Sequence, residues 1–554
     1  YWDISIHIDD GRDPGPLANP AHFFILFGLM GVMAAGIFGM ALPQKDIRSS
    51  VNVPGIGPHA PAGAIVIAAC GALSLTAFPL DDVWHRIFGQ DVTLWSPTHL
   101  MLITGASLST FGALALYRES LEESDDTQAV PARAGWLLAP LTGAMLIGLN
   151  TFLAEFDFAV PQFRLDMHPV GIALAAGVAL VSARLVIGPY GALATVAFFI
   201  GLRGFLFVTV GPILGGTEPR FSLYLAEAIL VELAAVAFAR SGKPIAGRPV
   251  TFGLVAGGLI GTLGIAAEWA WSHVWMVHPW TASMFPEAAL MALGMALAAG
   301  VIGGFVGRAL SLRGTRLPAA PGWVLPAAAL AAVAIAVLGI RISEGDGSLR
   351  AQLQLTPAGE GRVEATVRMQ PQDAADDARW LTITSWQGKQ ASIVQHLERT
   401  GPGQYRTVEP VPVDGTWKSI LRLHVDDEVL GLPVFLPEDP AIPAKEVPAT
   451  PTIDRAFVLD KKNLQREQKQ GVSGVLTTGA YAGVGLIVIV LFGFLFWGLK
   501  RVRETLGHDS EDAAPGPPFA DGDGQANGRF SPRESAGVEE AGRLVQGGGG
   551  EGRA

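Results

Sequence analysis

Histidines and carboxylates recur together in short polar segments of this chain. Asp81 and His85 stand four residues apart, and Asp3 and His7 repeat that spacing. On an α-helix, residues i and i+4 share one face, so each pair could offer an oxygen and a nitrogen to one ion. Imidazole and carboxylate ligands without thiolate are typical of copper, zinc or non-haem iron sites. The spacing therefore predicts metal binding.

The two segments resemble each other beyond these pairs. In both, Gly follows the first His by four residues and Asp follows it by six. A polar residue, Pro, one further residue and a second His then close the segment. The polar residue can cap a helix and Pro suits its first turn, which fixes the second His on a rigid element. We predict an internal repeat (3–80 and 81–155) with the metal ligands Asp81, His85 and His99 in one unit and Asp3, His7 and His22 in the other. Both one shared site and two mononuclear sites agree with this set.

The segment from Asp81 to His99 resembles a known copper motif. Asp81, three residues, His85 and a later Ser-Pro-Thr-His99 step are similar to the motif in the membrane C subunit of particulate methane and ammonia monooxygenases. That resemblance covers some twenty residues in each of the two places. It implies copper bound by Asp81, His85 and His99, and a monooxygenase-like activity. In this chain thirteen residues separate the two histidines, against twelve in that family.

Further polar residues in the same kind of segment could surround the ligands. Seven of the eleven histidines lie in these short segments or at the start of the following apolar run. An even scatter would place fewer there. The candidates for supporting roles are Asp82, Asp91, Asp13, Asp166, His168, His273 and His278. Within the apolar runs, Glu227 and Glu232 are carboxylates at membrane depth, which are costly and usually functional.

The composition is that of a membrane protein. The chain has 554 residues, of which 50% are hydrophobic and 16% charged, and its mean hydropathy is +0.37. A single cysteine, Cys70, excludes a disulfide scaffold and a thiolate cluster. The net charge of −11 argues against nucleic acid as a partner.

Eleven apolar runs have the length that crosses a bilayer. Basic residues fall between alternate runs, which by the positive-inside rule places those loops in the cytoplasm. The histidine-bearing segments then lie outside, and the C-terminus lies in the cytoplasm of a plasma (inner) membrane protein. The predicted spans are 22–42, 61–79, 98–117, 136–154, 169–187, 190–214, 222–239, 250–270, 287–306, 322–340 and 474–499.

The stretch before the last span has a different character. Residues 341–440 alternate apolar and polar positions between Gly, Pro and Asp turns, which predicts an extracytoplasmic β-sandwich-like domain. Residues 441–473 form a Pro-rich and polar linker, and 500–554 are predicted to be a disordered cytoplasmic tail. The fold class is thus all-α and polytopic, with residues 1–340 forming about ten spans and with an inserted β domain.

Three functions agree with these features. The first is a membrane metalloprotein, with copper suspected and zinc or iron as alternatives, that acts as an oxidoreductase on a small substrate. The second is a metal or small-solute transporter or delivery protein, since repeats are common in transporters. The third is a non-catalytic assembly factor. The expected partners are the lipid bilayer and possible further membrane subunits or an extracytoplasmic metal carrier.

Overall fold

Helices and one large sheet make up the chain in a computed structural model. The structure describes residues 1–10, 15, 17–43, 49–89, 93–123, 135–161, 163–242, 245–311, 321–339, 348–387, 392–438, 444–463, 468–469 and 471–508.

Fourteen α-helices occur in the described ranges. Apolar composition dominates most of them because a bilayer offers no water to solvate polar side chains. They are α1 (Trp2–Asp10), α2 (Pro20–Ala41), α3 (Ala62–Phe88), α4 (Pro97–Glu123), α5 (Leu138–Thr151), α6 (Ala154–Asp157), α7 (Met167–Val186), α8 (Gly191–Val208), α9 (Leu225–Arg240), α10 (Pro249–Leu259), α11 (Ile265–Trp275), α12 (Phe285–Leu310), α13 (Val324–Gly339) and α14 (Gly474–His508).

Eight helical segments in the described residues are long and apolar enough to cross a membrane. They are Pro20–Ala41, Ala62–Phe88, Pro97–Leu121, Met167–Val186, Gly191–Ile213, Pro249–Trp275, Phe285–Leu310 and Gly474–Val502. Two shorter apolar helices, α5 and α13, accompany them, and the sixteen-residue α9 fills the remaining predicted span. The chain is therefore a multi-pass membrane protein. The number of crossings and the side of each loop stay predictions.

Two of these segments contain a wider π-helical turn. Residues Thr209–Ile213 extend α8, and Ile260–Gly264 joins α10 to α11. The first contains Pro212, which cannot donate a helical hydrogen bond. Single π turns inside α-helices are frequent at functional sites.

Small residues bring neighbouring helices close together. A Cβ at Gly253 would lie 2.1 Å from the carbonyl oxygen of Gly300, so α10 and α12 touch through their backbones. A Cβ at Gly36 would likewise lie 2.5 Å from the backbone nitrogen of Ala68, between α2 and α3. Such contacts are the usual way in which membrane helices associate.

The β domain is one ten-stranded sheet in the order β11-β3-β4-β7-β6-β5-β9-β10-β12, with β8 paired to β4. Buried residues from both halves of this order, such as Val367 and Leu432, form a single apolar core, as in a sandwich. The strands are β3 (Arg350–Gly359), β4 (Arg362–Gln370), β5 (Trp380–Trp386), β6 (Ile393–Gly401), β7 (Gln404–Thr407), β8 (Val411–Pro412), β9 (Lys418–Val425), β10 (Glu428–Phe435), β11 (Thr452–Ala456) and β12 (Val458–Leu459). A separate hairpin joins β1 (Val51–Val53) to β2 (Gly57–Ala60).

The sheet extends past the predicted boundary at 440. Strand β11 pairs with β3, and β12 pairs with β10, because Ile453 and Phe457 bury their side chains in the core. Residues 452–459 of the predicted linker are therefore part of the domain. Helix α14 also continues to His508 instead of ending at 499. Residues 509–554, the rest of the predicted tail, lie outside the described residues.

Candidate functional site

Asp3, His7 and His22 form one candidate metal centre, called here the first group. The carboxylate oxygen Oδ1 of Asp3 lies 3.7 Å from His7 Nε2 and 3.1 Å from His22 Nε2. One ligand atom from each residue lies within 4.8 Å of the other two. The side chains of the three residues are 12–20% exposed, so the group lies close to the surface without being fully solvated.

Asp81, His85 and His99 form the second group with nearly the same geometry. Asp81 Oδ2 lies 3.8 Å from His85 Nε2, and Asp81 Oδ1 lies 3.4 Å from His99 Nε2. The two histidine rings are 6.2 Å apart between centroids, which is also the ring separation in the first group. Two segments of the sequence thus bring the same residue types to similar distances, although the planes of the two rings meet at 31° in the first group and at 77° in the second.

Matching local structure explains this recurrence. Asp3 and His7 lie one turn apart on α1, and Asp81 and His85 lie one turn apart at the end of α3. His22 and His99 each occupy the third position of a helix that begins with Pro. The expected caps are present: the side chain of Asn19 accepts the backbone N–H of Ala21, and Ser96 Oγ accepts that of His99.

The residue that supports the carboxylate differs between the groups. In the first, the amide of Asn19 donates to Asp3 Oδ1 at 2.8 Å. In the second, the hydroxyl of Thr98 donates to Asp81 Oδ1 at 2.5 Å. Sequence reasoning missed both contacts, although the position of Thr98 directly before His99 is a usable signal.

Hydrogen bonding fixes the protonation pattern of His99. Its Nδ1 lies 2.8 Å from the carbonyl oxygen of Thr93, and a carbonyl can only accept, so Nδ1 carries the proton. In the neutral ring Nε2 is then an acceptor that faces the carboxylate of Asp81. His99 Nε2 and Asp81 Oδ1 are then two acceptors 3.4 Å apart, and this contact becomes favourable when a proton or a cation lies between them. Metal-binding histidines are commonly held by a carbonyl in this way.

Glu155 supports the same histidine from a distant part of the chain. Its Oε1 accepts the Thr93 hydroxyl at 2.8 Å and the Leu94 backbone N–H at 2.7 Å. Glu155 is buried, and it therefore orders the loop whose carbonyl orients His99. Sequence reasoning did not connect Glu155 with the second group.

The first group is electrostatically suited to a cation. Burial raises the pKa of Asp3, but the hydrogen bond from His22 and the charges of His7 and His22 outweigh it and lower the pKa below its usual range. Asp3 is therefore ionised at neutral pH. In the second group, His85 Nε2 is buried and has no hydrogen-bond partner in the described part of the chain.

The two groups lie at the same end of the helix bundle. The ring of His22 meets Phe78 edge-on at 5.7 Å, and Phe78 precedes Asp81 by three residues on α3. Three residues of helix correspond to about 4.5 Å of rise. The groups are thus close neighbours.

The residues predicted to surround the ligands are mostly engaged elsewhere. Asp82 pairs with Arg86 at 2.8 Å, and Asp13 and Asp91 lie outside the described residues. His273 is exposed and its Nδ1 contacts the carbonyl of Trp269 at 2.9 Å. These contacts give no support to either group.

The other three candidates lie under the β domain or deeper in the bundle. His168 stacks on Phe156 and accepts the indole N–H of Trp280 at 3.1 Å. His278 contacts the ring of His424 from β9 at 5.7 Å. Asp166 precedes α7, and burial together with the charge of Asp427 raises its pKa to about 6. The structure does not bring these three into the metal groups.

The donor set and its dimensions fit a metal ion. Ligands about 2.0–2.2 Å from an ion are about 2.8–3.6 Å apart in octahedral or tetrahedral geometry. The Asp–His distances of 3.1 to 3.8 Å are close to that range. Three protein ligands would also leave coordination positions open.

Fold and site together define a multi-pass membrane protein with a paired Asp/His centre at one end of its helices and an attached β-sandwich-like domain. No family model, curated protein or solved structure matches the chain. The function is therefore argued from the site itself.

Proposed function

We propose that this chain is an integral membrane metalloprotein in which each Asp/His group holds one ion at the outer membrane face. The observation that supports this best is the recurrence of one geometry: an Asp and a His one helical turn apart, facing a His in the first turn of a Pro-started helix. A single such group could be an interfacial hydrogen-bond network. Two groups with the same separation between their histidine rings favour a common ligand.

Copper is the metal that we propose, with zinc and iron as alternatives. Two histidines and one carboxylate suit all three metals, and the similarity of Asp81, His85 and His99 to the monooxygenase motif favours copper. A bound copper ion would supply redox chemistry and open positions for oxygen or a small substrate. The protein would orient His99 through Thr93, keep Asp3 and Asp81 charged, and limit water at the site.

The test is metal content of the purified full chain by mass spectrometry, after reconstitution with copper, zinc or iron. We expect two ions per chain in the wild type and one in each of the double variants His85→Ala/His99→Ala and His7→Ala/His22→Ala. His273→Ala is the matched control, because His273 is exposed and belongs to neither group. It should retain two ions.

Three results would contradict parts of this proposal. Background metal in the wild type would exclude the centre. Loss of all metal in either double variant would exclude two separate sites. Stable binding of zinc alone, with no copper signal in electron paramagnetic resonance, would exclude the redox function. Copper binding should be followed by an oxygen-consumption assay with a reductant, in which both double variants lose activity.

A further inference from the structure

Glu227 is an unusual carboxylate within the helix bundle. It lies in the first turn of α9 and is 0% exposed. Neither of its carboxylate oxygens has a hydrogen-bond partner in the described residues. By contrast Glu232, on the same helix, pairs with Arg184 at 2.7 Å and accepts the backbone N–H of Ala192. Glu232 is satisfied by the protein, whereas Glu227 is not.

The π-helical turn places Glu227 against its neighbours. A Cβ at Gly264, the last residue of that turn, would lie 2.9 Å from Cγ of Glu227, so any larger residue there would displace the Glu227 side chain. Glu268 lies one helical turn beyond Gly264, and its carboxyl group is the neighbour that interacts electrostatically with Glu227. Two buried carboxyl groups therefore lie side by side.

A chain of neighbouring polar residues, interrupted at the ring of Tyr224, leads from this pair toward the Asp/His groups. Glu268 accepts the backbone N–H of Tyr224 at 2.6 Å and that of Leu223 at 3.2 Å. The hydroxyl of Tyr224 donates to Asn150 Oδ1 at 2.8 Å. The amide of Asn150 donates to Asp157 Oδ2 at 3.1 Å.

The chain ends near the second group. Arg203 donates to Asp157 Oδ2 and to the carbonyl of Arg220, and Arg220 is half-buried. Asp157 follows Glu155, which orders the loop beside His99, by two residues. Polar residues therefore extend from the neighbourhood of the carboxyl pair to the end of the bundle that carries the Asp/His groups, but they do not form a continuous proton path.

An ionised Glu227 without a partner would be too costly in this interior. A proton neutralises it without requiring further ligands, whereas a metal or alkali cation would need several oxygen ligands. The groups that face it are Glu268 from α11 and Tyr224 from the segment before α9, and neither is a cation. Arg203, the cation at the end of the row of polar residues described above, is paired with Asp157 at 2.9 Å.

We propose that Glu227 is an intramembrane proton-binding site, which is protonated at neutral pH and can take up and release one proton. This role does not depend on the metal function. Membrane carboxyl groups of this kind serve proton relays, and the π-helical turn at Gly264 is the local structure that accommodates one here.

Infrared difference spectroscopy of the full chain in lipid vesicles tests the proposal. At neutral pH the wild type should show the carbonyl stretch of a protonated carboxylic acid, and Glu227→Gln should lose it. The matched control Glu232→Gln should keep it, because Glu232 is ion-paired and charged. An equal band in Glu227→Gln would overturn the proposal. So would a wild type that lacks the band and whose carboxylate bands respond to sodium or potassium.

Two further variants keep the test valid if Glu227→Gln does not fold. In Glu268→Gln the loss of the neighbouring carboxyl group should shift deprotonation of the same band to lower pH. In Gly264→Ala, whose Cβ would lie 2.9 Å from Cγ of Glu227, the frequency of this band should shift because the side chain is displaced. No change in either variant would overturn the assignment. Metal content should be unchanged in both, so this test and that of the metal centre fail independently.

Discussion

The two Asp/His groups keep their ligands while the supporting side chains differ. In the first group, Asn19 both caps a helix and donates to the carboxylate. In the second group, Ser96 caps the helix and Thr98 donates to the carboxylate. Retention of the Asp and His residues while their supporting side chains change is what selection for ion binding would leave. The sequence comparison of 3–22 with 81–99 predicted that these residues group together: helical spacing brings each Asp to its first His, and the second His comes from the start of another helix.

Removing the charge of Glu155 should weaken the second group alone. In Glu155→Gln the loop at Thr93 loses its charged acceptor, so His99 is less well oriented. We expect metal affinity of the second group to fall by about 10- to 100-fold, the usual effect of such supporting residues. Asp82→Asn is the control, since the ion pair of Asp82 in the described part of the chain is with the exposed Arg86. Equal affinities in competition titrations of the two variants would contradict this role.

Contacts of this kind could not be predicted from the sequence. Glu155 and Thr93 are 62 residues apart, and no spacing rule connects a loop to a short helix across a membrane span. The same holds for Gly264 and Glu227, whose contact depends on a π-helical turn. Ligands on one helix face were predictable, whereas the residues that orient them depend on tertiary packing.

Helix contacts through glycine set the position of the first group. His22 is carried by α2, and α2 touches the backbone of α3 at Gly36. Apolar run length predicted these helices well, because the bilayer imposes it. It could not predict which faces touch, nor that α5, α9 and α13 would be shorter than a usual span.

Gly36→Val should separate α2 from α3 and disturb the first group. Its side chain would overlap the backbone of Ala68, and overpacking of this kind costs about 1–3 kcal/mol. We expect a lower thermal midpoint in detergent and loss of one metal ion. Gly28→Val is the control on the same helix, because nothing lies within 4 Å of a Cβ there. Similar midpoints for both variants would count against the close contact.

At the scale of the molecule, the β domain is fastened to the helices by specific contacts. Arg164, which precedes α7, binds Asp427 of the β9–β10 turn through both its Nε and Nη2 atoms, the latter at 2.6 Å. The backbone N–H of Leu165 donates to the Asp427 carbonyl, and Thr281 donates to that of Asp426. An attached domain was predicted from composition, but the residues through which it contacts the helices could not be predicted.

Arg164→Met should loosen this attachment. Asp427 would remain buried without its cation, a change that costs about 3 kcal/mol. The β domain should then be cleaved several-fold faster by protease in intact vesicles, with metal content unchanged. Arg399→Met removes an exposed ion pair with Asp376, which is worth about 1 kcal/mol or less. Equal cleavage rates for the two variants would show that the ion pair does not hold the domain.

The same junction should be sensitive to acid. Burial and the charges of Arg379 and Arg422 lower the pKa of His424 to about 4. The folded protein resists protonation of His424, since this value lies below the ordinary pKa near 6.5. With respect to this group, the folded state is therefore most stable above about pH 6.5, and it loses that stability as the pH falls to about 4. The amount is roughly 1–3 kcal/mol. The raised pKa of Asp166 has the opposite effect on the stability of the folded state over the same pH range, because the folded protein binds this proton more tightly.

Unfolding in urea as a function of pH measures this effect. His424→Leu removes the titrating group and should flatten the decline between about pH 6.5 and 4. Asp166→Asn should make the decline steeper, because the opposing contribution is gone. An unchanged pH profile in His424→Leu would rule out this histidine as the cause.

The last helix and the residues just before it contact a part of the helix bundle that is synthesised much earlier. Tyr481 donates to the carbonyl of Trp95 at 3.1 Å, 386 residues earlier, and Lys469 donates its backbone N–H to the carbonyl of Phe88. At about 5–20 residues per second of synthesis, the ribosome needs roughly 20–80 s to supply this final piece. During biogenesis the second group is therefore open on that side while the rest of the bundle inserts. Under the proposed metal function, the second group is accessible from that side during this interval, before Lys469 and Tyr481 contact Phe88 and Trp95.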